Sequence, residues 1–314
     1  MRLLFLLLWS SAFLVGSAGV RAAPPLTLTS YRFALAAAVL VVLALAARAR
    51  WPRNAKVWGH LIVGGLLLQA VQFSGTYVGL SLGVPAGLSA LLLGCAPLLV
   101  AAAAGPVLGE WMRPVQWIGS ALGIAGVVLA CLDRLHGGLN LAGVAFTLLG
   151  AAGFAAGTVY QRKFTPDTDL RVTGAVQLGV SAIAMTAVTA IFGEPLLLPV
   201  NPTSIGAVLW LALVNSIGAI TLLFVLMRRR GGAKATGVIY LAPPLTAVAA
   251  VPLLGQPLSI GAIAGLAVAA IGVLLVNRAQ PAEPAAAASR SWPSRVTRAS
   301  MTPSSSPSRT ASRL

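Results

Sequence analysis

The sequence predicts an all-α integral membrane protein of ten transmembrane helices, arranged as two inverted five-helix repeats. The chain of 314 residues is 58% hydrophobic and only 9% charged, whereas soluble domains carry about 25% charged residues. Its apolar residues form runs long enough to cross a bilayer, which takes about 20 residues. The segments between these runs are short, so they leave no room for a sizeable soluble domain.

We place ten spans along the chain, each bounded by charges, Pro, Gly or Asn. They cover residues 3–20, 30–47, 57–80, 84–108, 114–132, 139–160, 172–192, 204–227, 236–254 and 258–276. The first run, with its basic start and the following Arg21-Ala22-Ala23, also resembles a secretory signal peptide. We interpret it as a retained membrane helix, because the same apolar character recurs throughout the chain. Residues 277–314 are rich in Ala, Ser, Pro and Arg, which predicts a disordered basic tail.

The basic residues indicate how the chain is oriented. The formal net charge is +16, from 22 Lys and Arg against 6 Asp and Glu. With ten spans both termini lie on one face, and all Lys and Arg except Arg21, Arg32 and Arg134 fall on that face or its tail. Cytoplasmic loops are enriched in Lys and Arg, so we predict a cell-membrane protein with both termini in the cytoplasm. The excess of basic residues thus indicates how the chain is oriented in the membrane. We expect the partner of this chain to be a lipid bilayer and not nucleic acid.

A repeat divides the spans into two groups of five. The segment from Ala96 to Val127 aligns without gaps on the segment from Ala242 to Val273, 146 residues later. Pro and Gly recur in register at Pro97/Pro243, Pro106/Pro252, Gly109/Gly255, Gly119/Gly265 and Gly126/Gly272. A unit with an odd number of spans must be copied upside down, and inverted repeats are typical of alternating-access transporters. We therefore predict residues 1–135 and 136–276 as two inverted repeats, followed by the tail.

Several short motifs accompany this repeat. The first copy has Pro97, Gly109-Glu110, Gly119 and Gly126, and the second has Pro243, Gly255-Gln256, Gly265 and Gly272. Trp9-Ser10-Ser11, Tyr31-Arg32-Phe33 and Gln161-Arg162-Lys163 stand at the ends or centres of other spans. In this order and spacing, from about residue 3 to residue 276, they resemble the EamA repeat of the drug/metabolite transporter superfamily.

This resemblance implies a ten-helix inner-membrane carrier of small metabolites, amino acids or drugs, often an exporter. The family usually has Glu in both Gly-Glu motifs, whereas the second motif here has Gln256. Glu110 is a candidate for gating or ion coupling, although a carboxylate before a helix also complements the helix dipole and can pair with Arg113. Pro97 and Pro243 are predicted to kink helices that move during transport.

Polar side chains within the spans are candidates for the transport pathway, because such groups are costly in hydrocarbon. Gln69 and Gln72 lie three residues apart on nearly one face of span three, and Tyr77 follows near the end of that span. Asn215 of span eight stands 146 residues after Gln69. These amides either bind one substrate from both halves or bond helices to one another, and the sequence leaves both interpretations open.

Two further residues have open roles. Trp9, beside Ser11 in the middle of span one, either lines a cavity for an apolar or aromatic substrate or packs against lipid or a neighbouring helix. Arg32 enters span two, where its guanidinium either holds an anionic substrate group, or reaches the membrane interface or pairs with helix-end carbonyls. The corresponding position 145 residues later is the uncharged Gln177.

The acidic residues restrict the coupling mechanism. All of them fall in loops, at helix ends or in the tail: Glu110, Asp133, Asp167, Asp169, Glu194 and Glu283. A buried proton or sodium acceptor is therefore missing from the spans, which favours facilitated or exchange transport, or coupling through Glu110. The sequence has no Gly-rich phosphate loop and no catalytic or metal-binding cluster. We expect neither an enzyme nor a cofactor.

Two alternatives to a small-molecule carrier remain. A flippase for a lipid-linked group would have a largely apolar cavity open to the bilayer, and a non-transporting scaffold would have a packed interior. Spans five and ten are rich in Gly and Ala, so they either form a homodimer interface or pack inside the monomer.

Overall fold

A computed structural model describes residues 2–135, 138–165, 168–219, 222 and 241–278. All regular structure in these residues is helical, and we number the helices by span. They are α1 (Arg2–Ala22), α2 (Pro25–Ala46), α3 (Ala55–Ser81), α4 (Ala86–Leu108), α5 (Pro114–Leu135), α6 (Leu141–Phe164), α7 (Leu170–Ile191), α8 (Pro202–Leu209 with its continuation Trp210–Ala219), α9 (Ala242–Leu254) and α10 (Ile260–Arg278).

The helices α1 to α7 each contain an apolar stretch of at least 18 residues, which is long enough to cross a membrane. The described parts of α8, α9 and α10 are apolar but shorter. The end of predicted span eight, the start of predicted span nine and nearly all of the predicted tail lie outside the described residues. The all-helical architecture predicted from the sequence is therefore confirmed for the described part of the chain.

Short polar side chains begin several of these helices. The side-chain oxygens of Asn54, Asn140 and Asn201 each accept a backbone N–H from the first turn of the following helix, and Asp169 does the same for α7. Such caps satisfy backbone donors that have no partner inside the helix. The helices consequently begin at the Asn and Asp residues that interrupt the apolar runs.

The aligned segments of α4 and α9 have the same local structure. Ala96–Leu108 and Ala242–Leu254 are both 13 residues long, contain an internal proline and end at a glycine. Gly109 and Gly255 adopt φ values of 77° and 65°, a left-handed conformation that favours glycine. The shared Pro and Gly residues thus give the two segments the same helix and the same ending.

Glycine faces bring α5 and α10 into backbone contact. A Cβ on Gly126 would lie 2.5 Å from the Ala269 nitrogen, and one on Gly119 would lie 2.6 Å from the Gly272 oxygen. Helices approach this closely only where small residues line both surfaces. The Gly-rich faces of spans five and ten therefore pack inside the monomer, and a homodimer stays a prediction.

Glycines also bring α3 close to α6, on the side of the bundle that carries the predicted polar residues. A Cβ on Gly150 would lie 2.6 Å from the Gln72 oxygen, and one on Gly153 would lie 2.6 Å from Cγ1 of Val71. This packing fixes the middle of α3 against α6.

Candidate functional site

A cavity of about 360 Å³ lies among the middles of the helices. Residues of α1 to α4 and α6 to α10 line it, and most of these are apolar. Its polar wall combines one charged side chain with amides and hydroxyls, namely Arg32, Gln69, Gln72, Thr76, Tyr77, Asn215 and Ser216. Apolar cavities with a few convergent polar groups are the usual form of small-molecule sites.

Arg32 projects from α2 into this wall and is 2% exposed. Its Nε donates a hydrogen bond of 3.1 Å to Oγ of Ser216, and its Nη1 donates to the hydroxyl of Tyr77. The guanidinium carbon lies 4.1 Å from the centre of the Phe73 ring, so the cation also contacts an aromatic face. Arg32 therefore joins α2, α3 and α8, and its side chain is buried among them.

The carboxylates of the described side chains are engaged elsewhere. Glu194 accepts the backbone N–H groups of Leu26 and Thr27 at the start of α2, while Asp169 caps α7. Glu110 forms an ion pair with Arg162. Within the described part of the chain, no carboxylate pairs with Arg32. The positive charge at the cavity is thus uncompensated by these residues.

The two predicted amides both stand in locally widened helix. Gln69 lies in the π-helical stretch Leu66–Val71 of α3, and Asn215 lies in the π-helical stretch Trp210–Ala219 of α8. Such insertions are frequent at functional sites because they redirect side chains. The structure brings both amides to the same cavity, together with Gln72 on the next turn of α3.

The two amides differ in their bonding. Asn215 Nδ2 donates to the backbone oxygen of Leu8 and to Oγ of Ser11, both in α1. Its Oδ1 is buried and has no hydrogen-bond partner among the described residues. Gln69 makes no side-chain hydrogen bond within the same part of the chain and is free to turn towards a cavity occupant.

Trp9 and Ser11 occupy different places around the cavity. Trp9 lines it and packs against Phe5, with their ring centres 5.6 Å apart. Ser11 lies behind the wall, where it accepts hydrogen bonds from Nε1 of Trp210 and Nδ2 of Asn215. The position of Ser11 is suited to orienting Asn215 rather than to touching a cavity occupant.

The predicted gating residues fall at the cavity and at the two ends of α4. Pro97 and Pro243 line the cavity. Glu110 follows the end of α4 and pairs with Arg162 at 2.8 Å, instead of with Arg113 as the sequence suggested. Gln256 accepts the backbone N–H of Ala86 at the start of α4, at 2.9 Å.

Thr76 and Ser216 of the polar wall, and Phe73 beside them, were not predicted. Phe73 lies one turn from both Gln69 and Tyr77, so helical spacing alone could have placed it on the same face. Ser216 follows Asn215 directly, and both residues line the cavity from the π-helical stretch of α8. A π-helical stretch has no clear signal in the sequence.

This wall can bind and orient a small molecule, because it offers a fixed cation, amide groups and aromatic faces. The described residues contain no cluster of His, Cys, Asp or Glu that could hold a metal ion. Their arrangement points to recognition of a polar group in an otherwise apolar cavity.

Comparison with known proteins gives a consistent set of relatives. The model of the EamA-like transporter family matches residues 1–132 and again residues 141–278. The "Uncharacterized inner membrane transporter YedA" of Escherichia coli K12 is 28% identical over 288 residues, covering 90% of this chain and 92% of the relative. The "Aromatic amino acid exporter YddG" of Ancylobacter novellus is 31% identical over 298 residues, covering 87% and 96%.

A solved structure supports the same architecture. It is a crystal structure of a protein with a TM-score of 0.61 and 25% sequence identity. The likeness covers 87% of this chain and 94% of the other. The fold therefore extends over nearly the whole length of both chains.

Proposed function

Because this chain belongs to the EamA-like transporter family, and is a multi-pass membrane protein, we propose that it exports a small organic molecule across the cytoplasmic membrane. The observation that carries this proposal is the cavity of about 360 Å³, which side chains from both matched regions line. Arg32, Gln69 and Tyr77 come from the first region, whereas Asn215 and Pro243 come from the second. A site between two related halves is typical of secondary transporters.

The mechanism we propose is alternating access by two inverted repeats, residues 1–135 and 136–276, with both termini in the cytoplasm. Helices five positions apart lie against each other in the pairs α2 with α7, α4 with α9 and α5 with α10. Two halves related by a two-fold axis would produce this pairing. The matching helices of α4 and α9, with Pro97 and Pro243 at the cavity, supply the hinges of the motion.

The substrate we propose is an amino acid, a related metabolite or a drug, since YddG is named as an aromatic amino acid exporter. Trp9, Gln69, Gln72 and Asn215 would contact it, and Ser11 would hold Asn215 in place. The cavity counts against a packed, non-transporting scaffold.

Metabolite profiling of cells that overproduce or lack the protein tests this function. We expect at least one small molecule to accumulate outside overproducing cells and inside deletion cells. The purified protein should then exchange that molecule in proteoliposomes. If reconstituted protein moves none of the molecules that profiling identifies, the transport proposal is wrong.

We further propose that transport is facilitated or exchange-type, or coupled to protons only through Glu110. The support is that the described carboxylates lie at helix ends, away from the cavity. Flux into proteoliposomes with and without a pH gradient tests this. Strict dependence on the gradient that persists in Glu110→Gln would contradict both forms of the proposal.

A further inference from the structure

The uncompensated Arg32 indicates what kind of substrate the cavity accepts. We propose that Arg32, held by Tyr77, Ser216 and Phe73, is an anion subsite that binds the carboxylate of a substrate with an apolar body. This inference rests on the proposed transport function and names the chemistry of the substrate at that same site. Neutral molecules of the same shape would bind more weakly, and cations would be rejected.

The bonding of the guanidinium leaves one edge available. Nε is used by Ser216 and Nη1 by Tyr77, while Nη2 has no hydrogen-bond partner among the described residues. The contact with the Phe73 ring holds the guanidinium against an aromatic face. Nη1 carries two N–H groups and donates one of them to Tyr77, so a carboxylate can accept one N–H group from Nη1 and one from Nη2.

Electrostatics favours an anion over other occupants. A charged side chain buried in a membrane protein is costly unless it is paired or faces a cavity. Arg32 is buried, lines the cavity and has no carboxylate partner among the described side chains. A bound carboxylate would supply the missing charge, whereas an ammonium group would add a second cation in a poorly screened site.

The apolar lining of the cavity favours a substrate whose uncharged part is apolar. Phe13, Phe73 and Phe154 line the cavity together with many aliphatic side chains. These groups offer apolar contact to the part of the substrate that carries no charge. Small inorganic anions lack such a body and would gain only the contact with Arg32.

Binding to the purified full-length protein in nanodiscs tests the anion subsite. The probes are 3-phenylpropionate, its neutral amide and 3-phenylpropylammonium, which share an apolar body and differ mainly in the end group. We expect the carboxylate to bind at least about tenfold more tightly than the amide, as a charge-assisted bidentate bond allows. The ammonium compound should not bind measurably, as followed by thermal unfolding and tryptophan fluorescence.

Substitutions connect this selectivity to Arg32. Arg32→Gln should remove the preference for the carboxylate, and Arg32→Lys should retain only part of it, since Lys keeps the charge but not the planar fork. Arg21→Gln removes an equal charge from an exposed position and should leave the preference unchanged. The selectivity of the unmodified protein is informative even if an Arg32 variant fails to fold.

The outcomes separate this inference from the transport proposal. Equal binding of carboxylate and amide, tighter binding of the ammonium compound, or no binding of the carboxylate would each overturn the anion subsite. Equal stabilisation by sodium chloride alone would also overturn it, because the site would then not recognise a carboxylate. Carboxylate-selective binding without flux of any profiled metabolite would support the subsite and contradict the transport function.

Discussion

The two regions that match the family differ in charge at positions that spacing along the sequence predicts to be equivalent. Arg32 is matched with Gln177, 145 residues later, and Glu110 with Gln256, 146 residues later. Arg32 reaches the cavity, whereas Gln177 is buried and donates from Nε2 to Oε1 of Gln161, at 3.2 Å. The first region therefore has a charged group where the second has a neutral amide that is hydrogen-bonded to the protein.

This difference means that the cavity takes its charged lining side chain from the first region alone, among the described residues. A neutral amide such as Gln177 can stay buried between helices when it has a hydrogen-bond partner there. A cation needs either a paired anion or a polar opening, and Arg32 has the cavity. The second region contributes the polar groups of Asn215 and Ser216 to the cavity, together with apolar side chains.

The two copies of the Gly-Glu motif differ in a similar way. Glu110 makes an ion pair with Arg162, and both side chains are about half exposed. Gln256 makes a neutral bond to a backbone N–H at the opposite end of α4. The bond at Glu110 should therefore weaken with added salt, whereas the bond at Gln256 should not.

The largest expected effect concerns the close packing of α5, from the first region, against α10, from the second. Gly126→Leu would place a side chain where the α10 backbone is within 2.6 Å of a Cβ, so we expect loss of monodisperse protein on size-exclusion chromatography. Gly206→Leu is the matched control, because no atom lies within 4 Å of its Cβ position. Normal behaviour of Gly126→Leu would contradict the packing of α5 on α10.

A smaller effect is expected from substituting Arg32 and Gln177, the charged and the neutral member of the matched pair. Arg32→Gln should reduce the flux of a carboxylate substrate by about tenfold or more. Gln177→Ala should change it less than about twofold, because Gln177 does not line the cavity. Initial rates in proteoliposomes at equal protein content give both values. Similar losses in the two variants would remove the distinction between the regions.

Substitutions of the two cavity amides should differ in their effect on thermal stability. Gln69→Ala is expected to raise KM with little change in thermal stability, because this side chain has no hydrogen-bond partner in the described residues. Asn215→Ala should also lower stability by about 1 kcal/mol, because it removes the bonds to α1. Thermal unfolding and flux measured on the same samples test the difference. Unchanged flux in both variants would exclude the amide pair from substrate binding.

The smallest effects are expected at the ends of α4. Glu110→Gln removes an exposed ion pair, so stability should fall by about 1 kcal/mol or less and depend less on salt than in the unmodified protein. Gln256→Glu keeps an acceptor for the N–H of Ala86 and should be nearly neutral. A salt titration of thermal unfolding compares the two. Equal salt dependence of Glu110→Gln and the unmodified protein would count against the ionic bond.

Hydropathy predicted the existence of the spans more reliably than their ends. The second span was predicted to begin at residue 30, whereas α2 begins at Pro25. The polar residues Thr29 and Ser30 lie inside α2, where their hydroxyls donate to the carbonyl oxygens of Pro25 and Leu26 in the same helix. A hydroxyl that is hydrogen-bonded to a carbonyl of its own helix is compatible with a membrane helix, but a hydropathy scale does not account for this bond.

The candidate site was predicted in part. Arg32, Gln69, Tyr77 and Asn215 were found because polar side chains in apolar spans are rare, and the structure brings them to one cavity. The partner of Glu110 was predicted among its neighbours in sequence, whereas the structure pairs it with Arg162, 52 residues away. Pairing across such a distance depends on which helix ends meet.

The sequence by itself determined that the chain is a helical membrane protein, because the length and composition of an apolar run are properties of one segment. It also indicated the repeat, since Pro and Gly act locally on helix bending and helix ends. Only the tertiary structure decided that Arg32 faces a cavity and contacts Tyr77, Ser216 and Phe73. These contacts join three helices whose relative rotation is set by close packing of many small side chains, which no single segment specifies.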